Sequence, residues 1–203
     1  MAFVEVDRDV ITLDPKQAYR PEEFDALRHF RSGNLKWPDL LRTPRVILLA
    51  GAASGKSEEF RQRTAQIVRN AGFAVYLTIE RLEAAGLEGS LNLSDRARLT
   101  DWRRATERGW FFLNSIDEAR INHKDVELAL NRFAADLGEA YDRAGILLSC
   151  RGSAWTGDPD MALVANALPV RSRALREDQE PIDPDEALLA KRDKASSARV
   201  RTH

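Results

Sequence analysis

Four short, almost wholly apolar runs divide the middle of this sequence: RVILLA (45–50), FAVYLTI (73–79), WFFLNSI (110–116) and GILLSC (145–150). Uninterrupted apolar runs of this length, rich in β-branched and aromatic residues, suit strands buried on both faces. The intervals between them (51–72, 80–109 and 117–144) are long enough for crossover helices, which parallel strands require. Their residues carry a helical period. Over 55–70, Phe60, Thr64, Ile67 and Val68 share a face and Ala71-Gly72 ends the run. A polar helical stretch with Trp102 on its apolar side continues to about Arg108, with Ser94-Asp95 as its start signal. Over 124–143, Val126, Leu130, Phe133, Ala134 and Leu137 form one stripe. Strand and helix in alternation predict an α/β fold of three layers, a mainly parallel sheet with helices on both faces. ANALPV (165–170) is a candidate fifth strand.

The 203 residues, 43% hydrophobic and 31% charged, suffice for one well-buried core. That core is expected over 41–170. Residues 1–40 read as a lead-in punctuated by Pro15, Pro21 and Pro38, with a short helix from Pro21 to about Phe30. Residues 171–203 turn to mixed charge with few apolar positions, the composition of a partly disordered tail. A formal net charge of -1 provides no global field toward nucleic acid or an anionic membrane. Neither a basic leader nor an apolar run of the roughly 18 to 20 residues needed for a membrane span is visible, so the expectation is a soluble cytoplasmic protein. Cys150 is the single cysteine, which excludes an internal disulfide, and His29, His123 and His203 are too scattered to suggest a metal site.

The stretch LLAGAASGKSEEF (48–60) follows the first strand and enters the first long helix. It ends as a phosphate-binding loop ends, with Gly55, Lys56 and Ser57, but the opening glycine of G-x-x-x-x-G-K-[ST] is Ala50. Such a loop works through consecutive backbone N–H groups turned around an anion at the positive end of a helix. Residues Ala53, Ser54, Gly55, Lys56, Ser57 and Glu58 are the expected cradle, Lys56 lying on the outer phosphates and Ser57 coordinating magnesium. Gly51, next to Ala50, is positioned to let the chain turn one residue later. Ala53 is uncomfortable if its position needs positive φ.

Two later stretches complete a pattern. WFFLNSIDEAR (110–120) places Asn114 at a strand end and Asp117-Glu118 just beyond; ILLSCRGSAW (146–155) ends a strand on Ser149-Cys150-Arg151. An apolar strand with D-x-x-D-E, then a strand ending in S-x-R, behind a phosphate-binding loop, resembles the NACHT family of STAND-type P-loop ATPases over about residues 38–170. The resemblance implies ATP and Mg2+ as ligands, with Asn114 contacting the metal's waters. It further implies Glu118 or Asp117 orienting the attacking water and Arg151 sensing the terminal phosphate. Asn114 stands where the family has an aspartate, which removes one negative charge from beside a dication.

The family's further helical, winged-helix and sensor segments do not follow residue 170. A separate polypeptide, a fragment or a shortened relative each accounts for that. The implied function is ATP binding with slow hydrolysis in a signalling or anti-phage defence switch, with a homo-oligomer or a separate polypeptide as partner. The alternative is a non-catalytic nucleotide-dependent scaffold with an impaired magnesium site. A small-molecule kinase is disfavoured, because 124–143 reads as a packed helix and not as an arginine-rich lid.

Overall fold

The computed structural model describes residues 36–51 and 53–170 of the chain. The helix read at 21–30, most of the lead-in and the tail at 171–203 lie outside the described residues. In chain order the elements are α1 (Trp37–Arg42), β1 (Arg45–Ala50), α2 (Lys56–Arg69), β2 (Phe73–Thr78), α3 (Ile79–Ser90), α4 (Leu93–Arg104) and β3 (Gly109–Asn114). There follow α5 (Ile116–Ile121), α6 (Val126–Leu137), a 3-10 turn (Gly138–Arg143), β4 (Ala144–Arg151), a second 3-10 turn (Gly152–Ala154) and α7 (Asp158–Ala167).

The four strands form one sheet in the order β1-β4-β3-β2, and every pairing is parallel. Ala50 lies opposite Arg151 at the end of β1 and β4, and Thr78 opposite Asn114 at the end of β2 and β3. All four carboxyl ends therefore reach the same edge of the sheet. Alternate residues of each strand enter different cores, as a period of two requires. On one face Val46, Ala74, Phe112 and Leu147 pack with Leu40 of α1 and Phe60 of α2. On the other, Val75, Phe111, Leu113, Ile146 and Leu148 pack with Leu82, Leu99, Leu130, Phe133 and Val164 from α3, α4, α6 and α7. The expected three-layer α/β arrangement is what forms.

The helix starts have chemical causes. Thr78 Oγ1 accepts from Arg81 N–H, Asn92 Oδ1 from Asp95 N–H at 2.8 Å, and Asp125 Oδ1 from Leu128 N–H at 2.9 Å, so α3, α4 and α6 each begin on a side-chain oxygen. The start signal at Ser94-Asp95 is displaced: Asn92 is the cap and Asp95 its partner. Residues 80–108 divide into two helices at Leu91-Asn92, and 124–143 divides at Gly138, whose φ of 55° ends α6.

Residues 165–170 are not a strand. The positions buried over 158–167 are Asp160, Val164 and Ala167, a helical spacing, and Pro159 occupies the first turn. α7 therefore extends to Ala167, and the sheet keeps four strands among the described residues.

Aromatic rings join helix to sheet on both faces. Phe73 stacks on Trp102 with centroids 4.9 Å apart, directly over Gly109, where a Cβ would come within 2.6 Å of the indole. Across the sheet Phe60 meets Phe112 at 5.1 Å and Trp37 at 6.5 Å. Phe60 is the one fully buried side chain of α2. Phe60→Ala is expected to cost about 3–5 kcal/mol, much of the stability of a domain this size, measured as a lower urea midpoint with an unchanged slope.

Candidate functional site

At the carboxyl edge a cavity of about 350 Å³ opens between the β1–α2 loop and the ends of β3 and β4. Its lining includes every residue singled out from the sequence: Ala53 to Glu58, Asn114, Asp117, Glu118 and Arg151. Arg61 and Ser115 join them. Parallel pairing is the reason, because it brings segments remote in sequence to one edge of the sheet.

The loop before α2 has alternating backbone handedness. Ala53 has a φ of 54° and Gly55 of 82°, with Ser54 between them outside the left-handed region and Lys56 helical. Such alternation turns successive N–H groups toward one side and creates a concavity suited to an anion. No side chain caps α2, so its first-turn N–H groups have no side-chain acceptor and the positive end of the helix dipole lies at the same loop. The opening glycine is not missed. Ala50 is the last residue of β1, and Gly51 has no positive φ; a Cβ on it would meet nothing within 4 Å. The turn that Gly51 was expected to take falls instead on Ala53.

Lys56 folds over the loop, its ammonium donating to Ala50 O at 3.0 Å, Gly51 O at 2.9 Å and Ser54 Oγ at 3.3 Å. Burial is the largest influence on its pKa and lowers it; Asp117 opposes that fall and Arg151 reinforces it. Ser57 Oγ donates to Asn114 Oδ1 at 3.0 Å, and Ser149 Oγ donates to the same oxygen at 2.9 Å. Asn114, 4% exposed, thus ties α2 to β3 and β4 through neutral groups. Ser149 belongs to the S-x-R stretch but had no role assigned from sequence.

The tyrosine hydroxyl of Tyr76 is enclosed within reach of Ser57, yet makes no well-directed hydrogen bond. Burial raises its pKa, and the Arg61 guanidinium lies 4.8 Å from its ring centre. Arg61 follows Ser57 by one helical turn, a spacing that could have flagged it.

The two acids beyond β3 are not equivalent. Both lie in the first turn of α5. Asp117, 2% exposed, accepts from Ser115 Oγ at 2.8 Å and Arg151 N–H at 3.0 Å through Oδ1, while Arg151 Nε lies 2.7 Å from Oδ2. That last N–H is not directed at the oxygen, so the contact is an ion pair and not a linear hydrogen bond. Glu118 is exposed on the cavity wall. Of the pair, Glu118 is the carboxylate available to a ligand or water.

Cys150, at the end of β4, has its pKa pushed up to about 12, by burial first and by Asp117 second. Its thiol stays protonated near neutral pH and is no nucleophile. No group of three or more His, Cys, Asp or Glu positioned for a metal exists among the described residues. A divalent ion at Ser57 and Asn114 would meet neutral donors, so it fits there only in company with an anionic ligand that supplies charge.

Ala53 gives a direct test of the loop. A left-handed alanine costs roughly 1–2 kcal/mol, against roughly 0.4–1 kcal/mol for the extra freedom that glycine brings to the unfolded chain. Ala53→Gly should therefore stabilise the protein by up to about 1 kcal/mol, read from chemical denaturation; a loss of stability would mean the loop does not hold this turn.

Among the described residues no helix is long and apolar enough to cross a membrane. Compared with known proteins, the chain matches no family model, no curated protein and no solved structure, so its functional reading rests on the geometry of this cavity.

Proposed function

We propose that this chain is a NACHT-like P-loop domain that binds ATP in the cavity at the carboxyl edge and acts as a nucleotide-dependent signalling or defence switch, with slow hydrolysis. One observation carries the reading. A loop of alternating handedness, an uncapped helix start and Lys56 face Asn114, Glu118 and Arg151 across a single cavity. The first three suit a polyphosphate, which needs backbone N–H groups and a mobile cation, and the rest suit its far end.

In this reading residues 53–58 hold the phosphates, and Lys56 exchanges its loop carbonyls for phosphate oxygens. Ser57 and Asn114 hold magnesium, which when bound neutralises phosphate charge. Asn114 keeps the Ser57 hydroxyl oriented by accepting its proton in a hydrogen bond. Glu118 orients an attacking water, and Arg151 meets the terminal phosphate. Asp117, engaged by Ser115 and Arg151, positions the arginine.

The second reading, a binding module without turnover, draws on Asn114: with no carboxylate beside Ser57, the ion that assists transfer of the terminal group is poorly held. Calorimetric affinity measured beside phosphate release separates the two readings. Tight binding with no turnover, and turnover gained in Asn114→Asp, selects the module; turnover in the native chain selects the enzyme.

Saturating Mg-ATP, at about 100 times Kd, should stabilise the native chain by about 2.7 kcal/mol, a rise in Tm of roughly 5 °C or more. In Lys56→Ala that rise should vanish while the circular dichroism spectrum stays native. An equal shift in both proteins would take Lys56 out of the site.

A further inference from the structure

Each cation lining the cavity already has partners within the chain. Lys56 is on three loop oxygens, Arg61 lies 3.7 Å from Glu58, and Arg151 lies 2.7 Å from Asp117. An entering polyanion must exchange these partners. For two of them the exchange is inexpensive, because Lys56 leaves neutral carbonyls and Arg61 leaves a half-exposed carboxylate that water takes over. Asp117 is different, being 2% exposed. If the guanidinium leaves, Asp117 keeps its bonds from Ser115 Oγ and Arg151 N–H but loses the cation beside Oδ2, a penalty on a buried carboxylate that movement of α5 would relieve.

Helix α5 has a second hold on the same part of the chain. Three positions after Asp117, on the same face, Arg120 pairs through both terminal nitrogens with the Asp160 carboxylate and reaches Ala154 O at 3.4 Å. Asp160, 3% exposed, also accepts from Thr156 N–H at 2.8 Å. Burial works against its charge, but Arg120 and Thr156 outweigh that and hold its pKa below the ordinary value.

One turn of α5 therefore clamps both ends of the connection from β4 to α7, Arg151 through Asp117 and Asp160 through Arg120. Within that connection lie the Gly152–Ala154 turn, Gly157 with a φ of 77°, and buried Trp155, whose indole N–H has no acceptor. The Trp155 indole is held by packing alone, while its backbone N–H donates to Gly152 O at 3.3 Å within the same turn.

We propose that residues 151–160 form a strap released by competition for Arg151: a terminal phosphate in the cavity takes the guanidinium from Asp117, and α5 and the strap shift together. The proposal rests on the phosphate reading above. It adds that a triphosphate and a diphosphate differ in their effect on α7, because only the longer ligand reaches Arg151. Arginine favours the exchange, since its planar fork matches phosphate as well as carboxylate.

Hydrogen exchange of the full chain, read by mass spectrometry over residues 152–160, tests this in two arms. Without nucleotide, Asp117→Asn removes the charge that holds Arg151, and Arg120→Gln removes the other clamp. Each is expected to speed exchange there by roughly tenfold or more, with the amides of β3 and β4 unchanged. Unchanged exchange in both variants overturns the clamp, and because they act at opposite ends, one that fails to fold leaves the other to decide.

In the native chain, ATP is expected to speed the same amides and ADP to leave them as they were, with binding of each followed by calorimetry. ATP that binds without affecting 152–160 overturns the strap and spares the phosphate reading. ATP that does not bind overturns both. A clamp of purely structural meaning would open in the variants and ignore ATP.

Discussion

Parallel pairing is the constraint on which everything else depends. Once four strands run in one direction, each connection must return the chain to the opposite edge, and the carboxyl ends collect on one side. The loop after β1, the start of α5 after β3 and the turn after β4 thereby become neighbours, though about sixty and forty residues of chain separate them. Their meeting is fixed by Asn114, whose single carbonyl oxygen receives hydroxyls from Ser57 of α2 and Ser149 of β4. Burying that oxygen without both donors would be costly, so the three elements are held in register by a satisfied polar group.

The charges of the cavity follow a consistent plan. Positive groups are present at three points, and none waits unpartnered for a ligand. Lys56 is sheathed by carbonyls, Arg61 rests against a tyrosine ring, and Arg151 is in an ion pair. Such a cavity keeps its cations ordered without drawing every passing anion, because a ligand must offer better partners at more than one point to displace them. Selectivity then comes from the length of the ligand and its number of charges.

Most of the frame could be read from the sequence, because buried parallel strands leave an unmistakable apolar signature. RVILLA, FAVYLTI and GILLSC match strands to within a residue at either end, Ile79 already belonging to α3, while WFFLNSI overruns its strand, because Ser115 caps α5 and Ile116 begins it. The loop was legible too, since Gly55-Lys56-Ser57 at a strand-to-helix junction is a dense chemical signal. What escaped was local and depended on context. ANALPV resembles a strand when read alone, but Pro159 and the spacing of Asp160, Val164 and Ala167 commit it to α7. IDEARI is too short for a helical period to be visible, so the sequence placed its acids beyond a strand without assigning α5. Whether Asp117 or Glu118 is free could not be read at all, for it depends on Arg151, which reaches Asp117 only through the fold. Ala53 is the instructive case. The sequence marked two departures from the loop's usual composition: the one at Ala50 is harmless because that residue ends β1, and the one at Ala53 falls where φ is 54°, the strain the sequence pointed to.

Cys150 adjoins all of this without taking part in it. Enclosed beneath the end of β4 and held in its thiol form, it should ignore alkylating reagents for as long as the sheet edge is closed. Any rearrangement that lifts the end of β4 also admits solvent to that sulfur. The chain thus carries, next to its most contested arginine, an internal chemical clock whose rate of labelling counts how often this edge opens.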